Sequence, residues 1–159
     1  MIIKTPNCFF LVRGTSDGFQ PLNAFDGALL DAGIGNTNLV KMSSIVPPHC
    51  QLIEPIQLPY GALVPVAYAS LTSSLPGEHI AAAIAVAFPQ DSSLPGVIME
   101  YSGKETLEII EQRVRKMAEQ ALIMRNEPIK EIKSIGIERT VEQIGAVFAG
   151  AVLWHTDAL

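Results

Sequence analysis

The order of the predicted elements indicates an α+β fold built in layers. Helices and strands do not alternate regularly along the chain, which argues against a doubly wound parallel sheet. The segments 61–69 and 80–88 are rich in alanine and valine, and such small side chains let layers approach closely. Apolar residues recur every three or four positions over 105–125, which predicts a long amphipathic helix. A length of 159 residues predicts one domain.

The first part of the chain predicts a strand, a helix and a second strand. Residues 8–12 are apolar and β-prone, and the polar segment 14–18 after them is a predicted turn. Pro21 suits the first turn of a helix, whose apolar residues continue at helical spacing until glycines close the segment. A short strand is predicted over 37–42. The later predicted strands are 61–69, 80–88, 97–101, 132–140 and 146–155, and Pro128 ends the long helix.

Composition limits the kind of protein this can be. Hydrophobic residues make up 48% of the chain and charged residues 17%, which favours an oligomer that hides part of its surface. The net charge of −5 argues against a nucleic-acid partner and is compatible with a cationic substrate. The longest apolar run, 80–88, is too short to span a bilayer, and residues 1–6 lack a secretory pattern. We therefore expect a cytoplasmic protein with no membrane partner.

The cysteines and histidines do not indicate a metal site. Cys8 and Cys50 form no C-x-x-C motif, so buried, reduced thiols are expected. His49, His79 and His155 lie far apart and lack the spacing of metal ligands. The sequence thus predicts no bound metal.

The pair Ser43-Ser44, followed by Pro47 and Pro48, can support self-cleavage. A serine hydroxyl in a constrained backbone can attack the preceding carbonyl and turn the amide into an ester. Loss of the Ser44 α-proton then expels the Ser43 carboxylate, and the resulting dehydroalanine hydrolyses to a pyruvoyl group with loss of ammonia. The prolines stiffen the backbone after the pair. The same residues also fit an ordinary polar turn.

The surrounding residues strengthen the first interpretation. The run Gly-Ile-Gly-Asn-Thr-Asn at 33–38 precedes the Ser-Ser-Ile-Val-Pro-Pro run at 43–48, and Gly-Val-Ile-Met-Glu-Tyr-Ser follows at 96–102. This combination resembles the pyruvoyl-dependent arginine decarboxylases over nearly the whole chain. The resemblance implies a four-layer αββα sandwich that assembles as a trimer or a pair of trimers. It also implies cleavage into a β chain, 1–43, and an α chain, 44–159.

The resemblance further implies a reaction and a cofactor. L-Arginine would form a Schiff base with a covalently bound pyruvoyl group made from Ser44, and would leave as agmatine and carbon dioxide. Neither pyridoxal phosphate nor a metal is expected. The implied pocket lies between neighbouring protomers. Two alternatives stay open: an unprocessed trimeric binding or scaffold protein of the same fold, and a decarboxylase of another cationic amino acid, lysine or ornithine.

Catalytic roles are expected at three positions. Ser44 is the predicted pyruvoyl precursor. Glu100 lies in an apolar strand, and the family's matching glutamate supports it as the general acid that protonates the carbanion. Asn38 is assigned to self-processing, because the matching asparagine has that role and an amide can donate to an oxyanion. A turn asparagine and a solvent-facing glutamate are the structural alternatives for these two residues.

Substrate binding is assigned to Asp26, with Leu22 and Gly35. Leu22, Asp26 and Leu30 share one helix face at four-residue steps. A carboxylate matches a guanidinium in charge and geometry, and the family's matching aspartate binds the side-chain end of the substrate. The alternative is a boundary residue at the edge of the helix.

Overall fold

The computed structural model describes residues 4–159. In chain order the elements are β1 (Cys8–Asp17), α1 (Pro21–Asp31), β2 (Asn38–Lys41), β3 (Ile45–Val46), β4 (Gln51–Leu52), β5 (Leu63–Ser73), β6 (His79–Pro89), β7 (Gly96–Gly103), α2 (Leu107–Ile123), β8 (Ile129–Thr140) and β9 (Gly145–Trp154). Among the described residues, no helix is both long and apolar enough to cross a membrane.

These elements form four layers. The first sheet has the strand order β2-β5-β9-β1-β4, and the second has the order β3-β7-β6-β8. One apolar cluster fills the space between the sheets, a second lies between α1 and the first sheet, and a third lies between α2 and the second sheet. The predicted αββα sandwich is therefore confirmed.

Strand β6 shows how the sequence specifies this layering. Ile80, Ala82, Ile84 and Val86 point between the sheets, whereas the alternate alanines from Ala81 to Ala87 face α2. A strand buried on both faces is expected to be apolar throughout. The small alanine side chains leave room for α2 to pack closely. The alanine-rich run is thus the interior of the sandwich.

Helix α1 is defined at both ends by local sequence. Pro21 occupies the first turn, where its missing N–H leaves no helix hydrogen bond unmade. At the other end, Gly33 has a φ of +83°, and Ile34 N donates to Leu29 O at 3.0 Å. This left-handed glycine closes the helix in the manner common at C-termini. The chain then turns directly into β2.

Two sequence predictions about strands need correction. The predicted turn over 14–18 is wrong, because β1 continues to Asp17 and pairs with β9 along its whole length. Its polar residues are accommodated by tertiary contacts: the Thr15 hydroxyl donates to Ala146 O at 2.8 Å. The two-residue strands β3 and β4 were not predicted, since neither has a periodic pattern. β3 turns out to be central to the site.

The thiols fit the expectation of reduced cysteines. Cys8 is buried and Cys50 half-buried, and neither forms a disulfide. Burial raises the pKa of the Cys8 thiol. Burial, with a smaller contribution from Cys8, raises the pKa of Cys50 to about 12. Both thiols are therefore protonated and unreactive at neutral pH.

Asp17 joins the end of β1 to β8 and to the turn between β8 and β9. Its Oδ1 accepts from Arg139 Nε at 2.9 Å, and its Oδ2 accepts from the backbone N–H groups of Glu142 and Gln143. Partial burial alone would raise the pKa of Asp17, but the hydrogen bonds and the Arg139 charge together outweigh it and lower the pKa. The ionised carboxylate therefore stabilises the fold.

We expect Asp17→Asn to lower the free energy of unfolding by about 1–3 kcal/mol, the usual cost of losing charge-assisted hydrogen bonds. Because the pKa is lower in the folded state, this contribution is fully present above the unfolded carboxyl pKa of about 4 and is lost as the pH falls through the folded value. Urea unfolding at pH 7 measures the difference. Asp157→Asn is the control, since that side chain is 85% exposed. Equal stability of the two variants would contradict the assignment.

Candidate active site

The Ser43–Ser44 peptide bond lies where the chain crosses from one sheet to the other. Lys41 ends β2 in the first sheet, and Ile45 begins β3 in the second. Met42 N donates to Val66 O at 2.9 Å, and Ser44 O accepts from Ile98 N at 2.7 Å. The bond is thus anchored to a different sheet on each side. Neither serine hydroxyl donates to another described residue at hydrogen-bond distance, so the Ser44 hydroxyl is free to act.

Glu100 lies on the strand that anchors Ser44. Ile98 and Glu100 are two residues apart on β7 and therefore point to the same face, toward the space between the sheets. The Glu100 side chain is 38% exposed, yet its Oε2 is buried. Among the polar side-chain atoms of residues 4–159, this oxygen alone is buried without a hydrogen-bond partner. A buried carboxylate oxygen with no partner is costly and points to a functional role.

Lys41 contacts the other oxygen of Glu100. Its Nζ lies 3.4 Å from Glu100 Oε1 and 4.4 Å from the centre of the Tyr68 ring. Both contacts are attractive for a cation. Lys41 was not predicted as a site residue. The only indication in the sequence was that Lys41 lies three positions before Ser44. That position does not show that Lys41 contacts Glu100 on β7.

A cavity of ≈ 270 Å³ opens beside the Ser43–Ser44 bond. Apart from the two serines, its lining is apolar and consists of Pro6, Met42, Ile45, Pro47 and Leu153. A larger groove of ≈ 830 Å³ runs along α2, but none of the predicted site residues lines it. We take the smaller cavity as the candidate site because Ser43 and Ser44 line it, although Glu100 does not.

Asn38 does not contact Ser44 within one protomer. It begins β2, so about 10 Å of extended strand separates it from Lys41, and Ser44 follows farther along. Its side-chain amide instead donates to Gly61 O at 3.2 Å. The assignment of Asn38 to self-processing stays a prediction. A contact with a Ser44 oxyanion would have to come from a second protomer.

The three predicted substrate-binding residues lie on one exposed surface. Asp26 is exposed on α1, and its neighbours Leu22 and Leu30 are 75% and 52% exposed. Gly35 joins this surface, because a Cβ there would overlap the Leu30 side chain. No hydrogen bond or ion pair among residues 4–159 links Asp26 to Ser44 or Glu100. The helix face that carries Leu22, Asp26 and Leu30 is therefore uncovered in the isolated protomer, whereas the opposite face packs on the first sheet.

Comparison with known proteins identifies the family of the chain. The family described as pyruvoyl-dependent arginine decarboxylase matches residues 8–157. The pyruvoyl-dependent arginine decarboxylase of Methanocaldococcus jannaschii is 53% identical over 152 residues, which cover 96% of this chain and 92% of that protein. The enzyme of the same name from Pyrococcus abyssi is 41% identical over 151 residues, covering 94% and 95%.

A solved structure supports the fold. A pyruvoyl-dependent histidine decarboxylase matches with a TM-score of 0.53 at 20% identity, over 62% of this chain and 53% of that one. This chain thus spans about half the length of that neighbour, and the likeness concerns the fold alone. The family match and the high identity over nearly the full length are decisive: the chain belongs to the pyruvoyl-dependent arginine decarboxylase family.

Proposed function

We propose that the chain cleaves itself between Ser43 and Ser44, and that the processed protein decarboxylates L-arginine to agmatine and carbon dioxide. The observation that carries this proposal is the placement of the Ser43–Ser44 bond. It is anchored to both sheets and hydrogen-bonded to the strand that bears the unpartnered oxygen of Glu100. The products would be a β chain, 1–43, and an α chain, 44–159, which stay together in one domain.

The residues around Ser44 fit a pyruvoyl group at that position. Such a group supplies the electron sink that amino-acid decarboxylation needs and that no side chain provides. The Ile98 N–H holds the Ser44 carbonyl, which would flank the new ketone, and can stabilise negative charge developing on that oxygen. Cleavage at this bond would use the Ser44 hydroxyl as nucleophile, fixed donors for the oxyanion, a base that removes the Ser44 α-proton, and water that hydrolyses the dehydroalanine with loss of ammonia.

Glu100 is suited to deliver a proton to the substrate α carbon. Oε2 is buried and free of competing hydrogen bonds, and it is carried by the strand that holds the Ser44 carbonyl. Without a positioned acid, the carbanion left by carbon dioxide would depend on water for its proton. This supports the assignment of Glu100 as the general acid.

The substrate pocket is completed by a second protomer, in the trimer or pair of trimers that the family resemblance implies. The uncovered face of α1 carries Asp26 between Leu22 and Leu30, and Tyr60 is 78% exposed beyond it. Apolar side chains exposed in this way are typical of a covered interface. β2 is an edge strand, and an uncovered edge is also expected to be protected by a partner. Asp26 of one protomer would then face Ser44 of its neighbour.

The enzyme is expected to prefer arginine to lysine and ornithine, because a carboxylate pairs with the planar guanidinium through two parallel hydrogen bonds. Asp26→Asn keeps the volume but removes the charge. It should lower kcat/KM for arginine by about 10- to 150-fold and leave cleavage intact. Kinetics of carbon dioxide release with all three substrates measure both effects. Unchanged arginine kinetics in the variant would mean that another residue binds the guanidinium.

Mixing two defective variants tests whether the pocket is shared. Ser44→Ala protomers lack the reactive group but keep Asp26, and Asp26→Asn protomers have the opposite defect. In randomly mixed trimers, about one quarter of the shared pockets would be intact, so activity should exceed that of either variant alone. If each pocket lay within one protomer, only the Asp26→Asn protomers would be active. An equal mixture would then have at most half the activity of pure Asp26→Asn protein, which would contradict a shared pocket.

The remaining alternatives differ in simple observables. A scaffold protein of the same fold would remain a single uncut chain, and a lysine or ornithine decarboxylase would cleave but prefer the other substrates. A cytoplasmic location is part of the proposal. It is supported by two cysteines that are unpaired in the described chain.

A further inference from the structure

Lys41 contacts two groups that attract its charge. Its Nζ lies 3.4 Å from Glu100 Oε1 and 4.4 Å from the centre of the Tyr68 ring. Tyr68 is itself fixed by tilted aromatic contacts with Phe25 and Phe148. The ammonium therefore has a second contact besides Glu100, which restricts its position and lets it hold the carboxyl group in one orientation.

We propose that Lys41 is a positioning residue that selects which oxygen of Glu100 delivers the proton. By holding Oε1, it leaves Oε2 as the oxygen without a partner, buried beside the strand that anchors the Ser44 carbonyl. A carboxyl group free to rotate would exchange its two oxygens and would donate its proton from a range of positions. This inference rests on the proposed function and adds a residue to its acid step.

The ion pair between Lys41 and Glu100 is not explained by a contribution to the free energy of unfolding. The side chain of Lys41 is 53% exposed, and exposed ion pairs contribute little to the free energy of unfolding. A geometric role remains, because misplacing a catalytic group by about 1 Å can cost about a hundredfold in rate.

Self-cleavage gives this contact an additional consequence. Lys41 belongs to the β chain, two residues before its new carboxyl terminus, whereas Glu100 belongs to the α chain. The ion pair therefore crosses the cut and joins the end of one chain to the acid of the other. The β chain is then a working part of the active site after cleavage.

Lys41→Met should cleave normally, because Ser44 and its anchors are unchanged. Its kcat should fall by about 10- to 100-fold, with KM for arginine within about threefold of wild type. Lys41→Arg restores a cation and should recover most of kcat. In a Glu100→Gln background, Lys41→Met should cause little further loss, because the acid through which it acts is already absent.

A second readout reports proton delivery directly. If the proton reaches the pyruvoyl carbon rather than the substrate α carbon, the substrate nitrogen stays on the chain as an amino-terminal alanine. Hydrolysis by one water molecule then releases the rest of the substrate, which has lost carbon dioxide, as an aldehyde. The ketone carbon is reduced and the substrate α carbon is oxidised, so no external oxidant or reductant is needed. Mass spectrometry of the α chain after turnover should show more alanine per turnover in Lys41→Met than in wild type.

Lys116→Met is the matched control, since Lys116 forms an exposed ion pair with Glu119 on α2. It should change neither kcat nor the alanine fraction.

If Lys41→Met does not assemble, Lys41→Gln takes its place with the same readouts. Wild-type kcat and a wild-type alanine fraction in cleaved Lys41→Met or Lys41→Gln would overturn the inference alone. Loss of cleavage in both Lys41→Met and Lys41→Arg would overturn it as well. Failure of wild type to cleave or to decarboxylate would instead overturn the proposed function.

Discussion

Ser44→Ala abolishes both self-cleavage and decarboxylation in the proposed mechanism. Without the hydroxyl, no nucleophile attacks the Ser43 carbonyl and no pyruvoyl group can form. On a denaturing gel the variant should run as one chain of 17.1 kDa. Carbon dioxide release from arginine should be undetectable, because the loss is of the reactive group itself and not of a contact to it.

The variant should fold and assemble like wild type. The Ser44 hydroxyl makes no hydrogen bond to another described residue, and the backbone contact to Ile98 is kept. Ser43→Ala is the matched control: it removes the adjacent hydroxyl, which the reaction does not use, and it should still cleave. Cleavage of Ser44→Ala at the same bond would show that the nucleophile lies elsewhere.

Glu100→Gln separates processing from turnover. The amide keeps the shape of the side chain but has no acidic proton to deliver to the carbanion. We expect normal cleavage into two chains and a fall in kcat of about 10²- to 10⁴-fold, the range for loss of a general acid. Single-turnover measurement of agmatine formation, on protein shown by mass to be cleaved, gives the value.

Glu119→Gln is a suitable control for this variant. It changes a carboxylate that pairs with Lys116 on the surface of α2, and it should leave turnover unaffected. If Glu100→Gln turns over arginine near the wild-type rate, another group donates the proton. Loss of cleavage in Glu100→Gln would assign Glu100 to processing as well.

Much of the fold could be predicted because periodicity reports burial. The alanine-rich run became β6, the centre of the second sheet, and the segment with helical spacing became α2. The prediction failed at 14–18, where polar residues form hydrogen bonds to β9 and to Arg139 that no local pattern indicates. It also missed β3, whose two residues are too few to form a pattern.

Only part of the candidate site could be predicted from the sequence. The chemistry of Ser43-Ser44 follows from the residues themselves, and the motif around Glu100 from the family resemblance. The contact between Lys41 and Glu100 depends on how two sheets meet at a crossover, which is a tertiary property. The exposure of Leu22 and Leu30 likewise depends on which face of α1 packs on the first sheet. Helical spacing identifies a face but does not say what covers it.

Mass spectrometry of the purified wild-type protein tests self-cleavage most directly. The account predicts two chains: residues 1–43 ending in the Ser43 carboxylate, and residues 44–159 beginning with a pyruvoyl group in place of Ser44. An intact chain of 159 residues, or a fragment that begins with an ordinary serine at position 44, would contradict it.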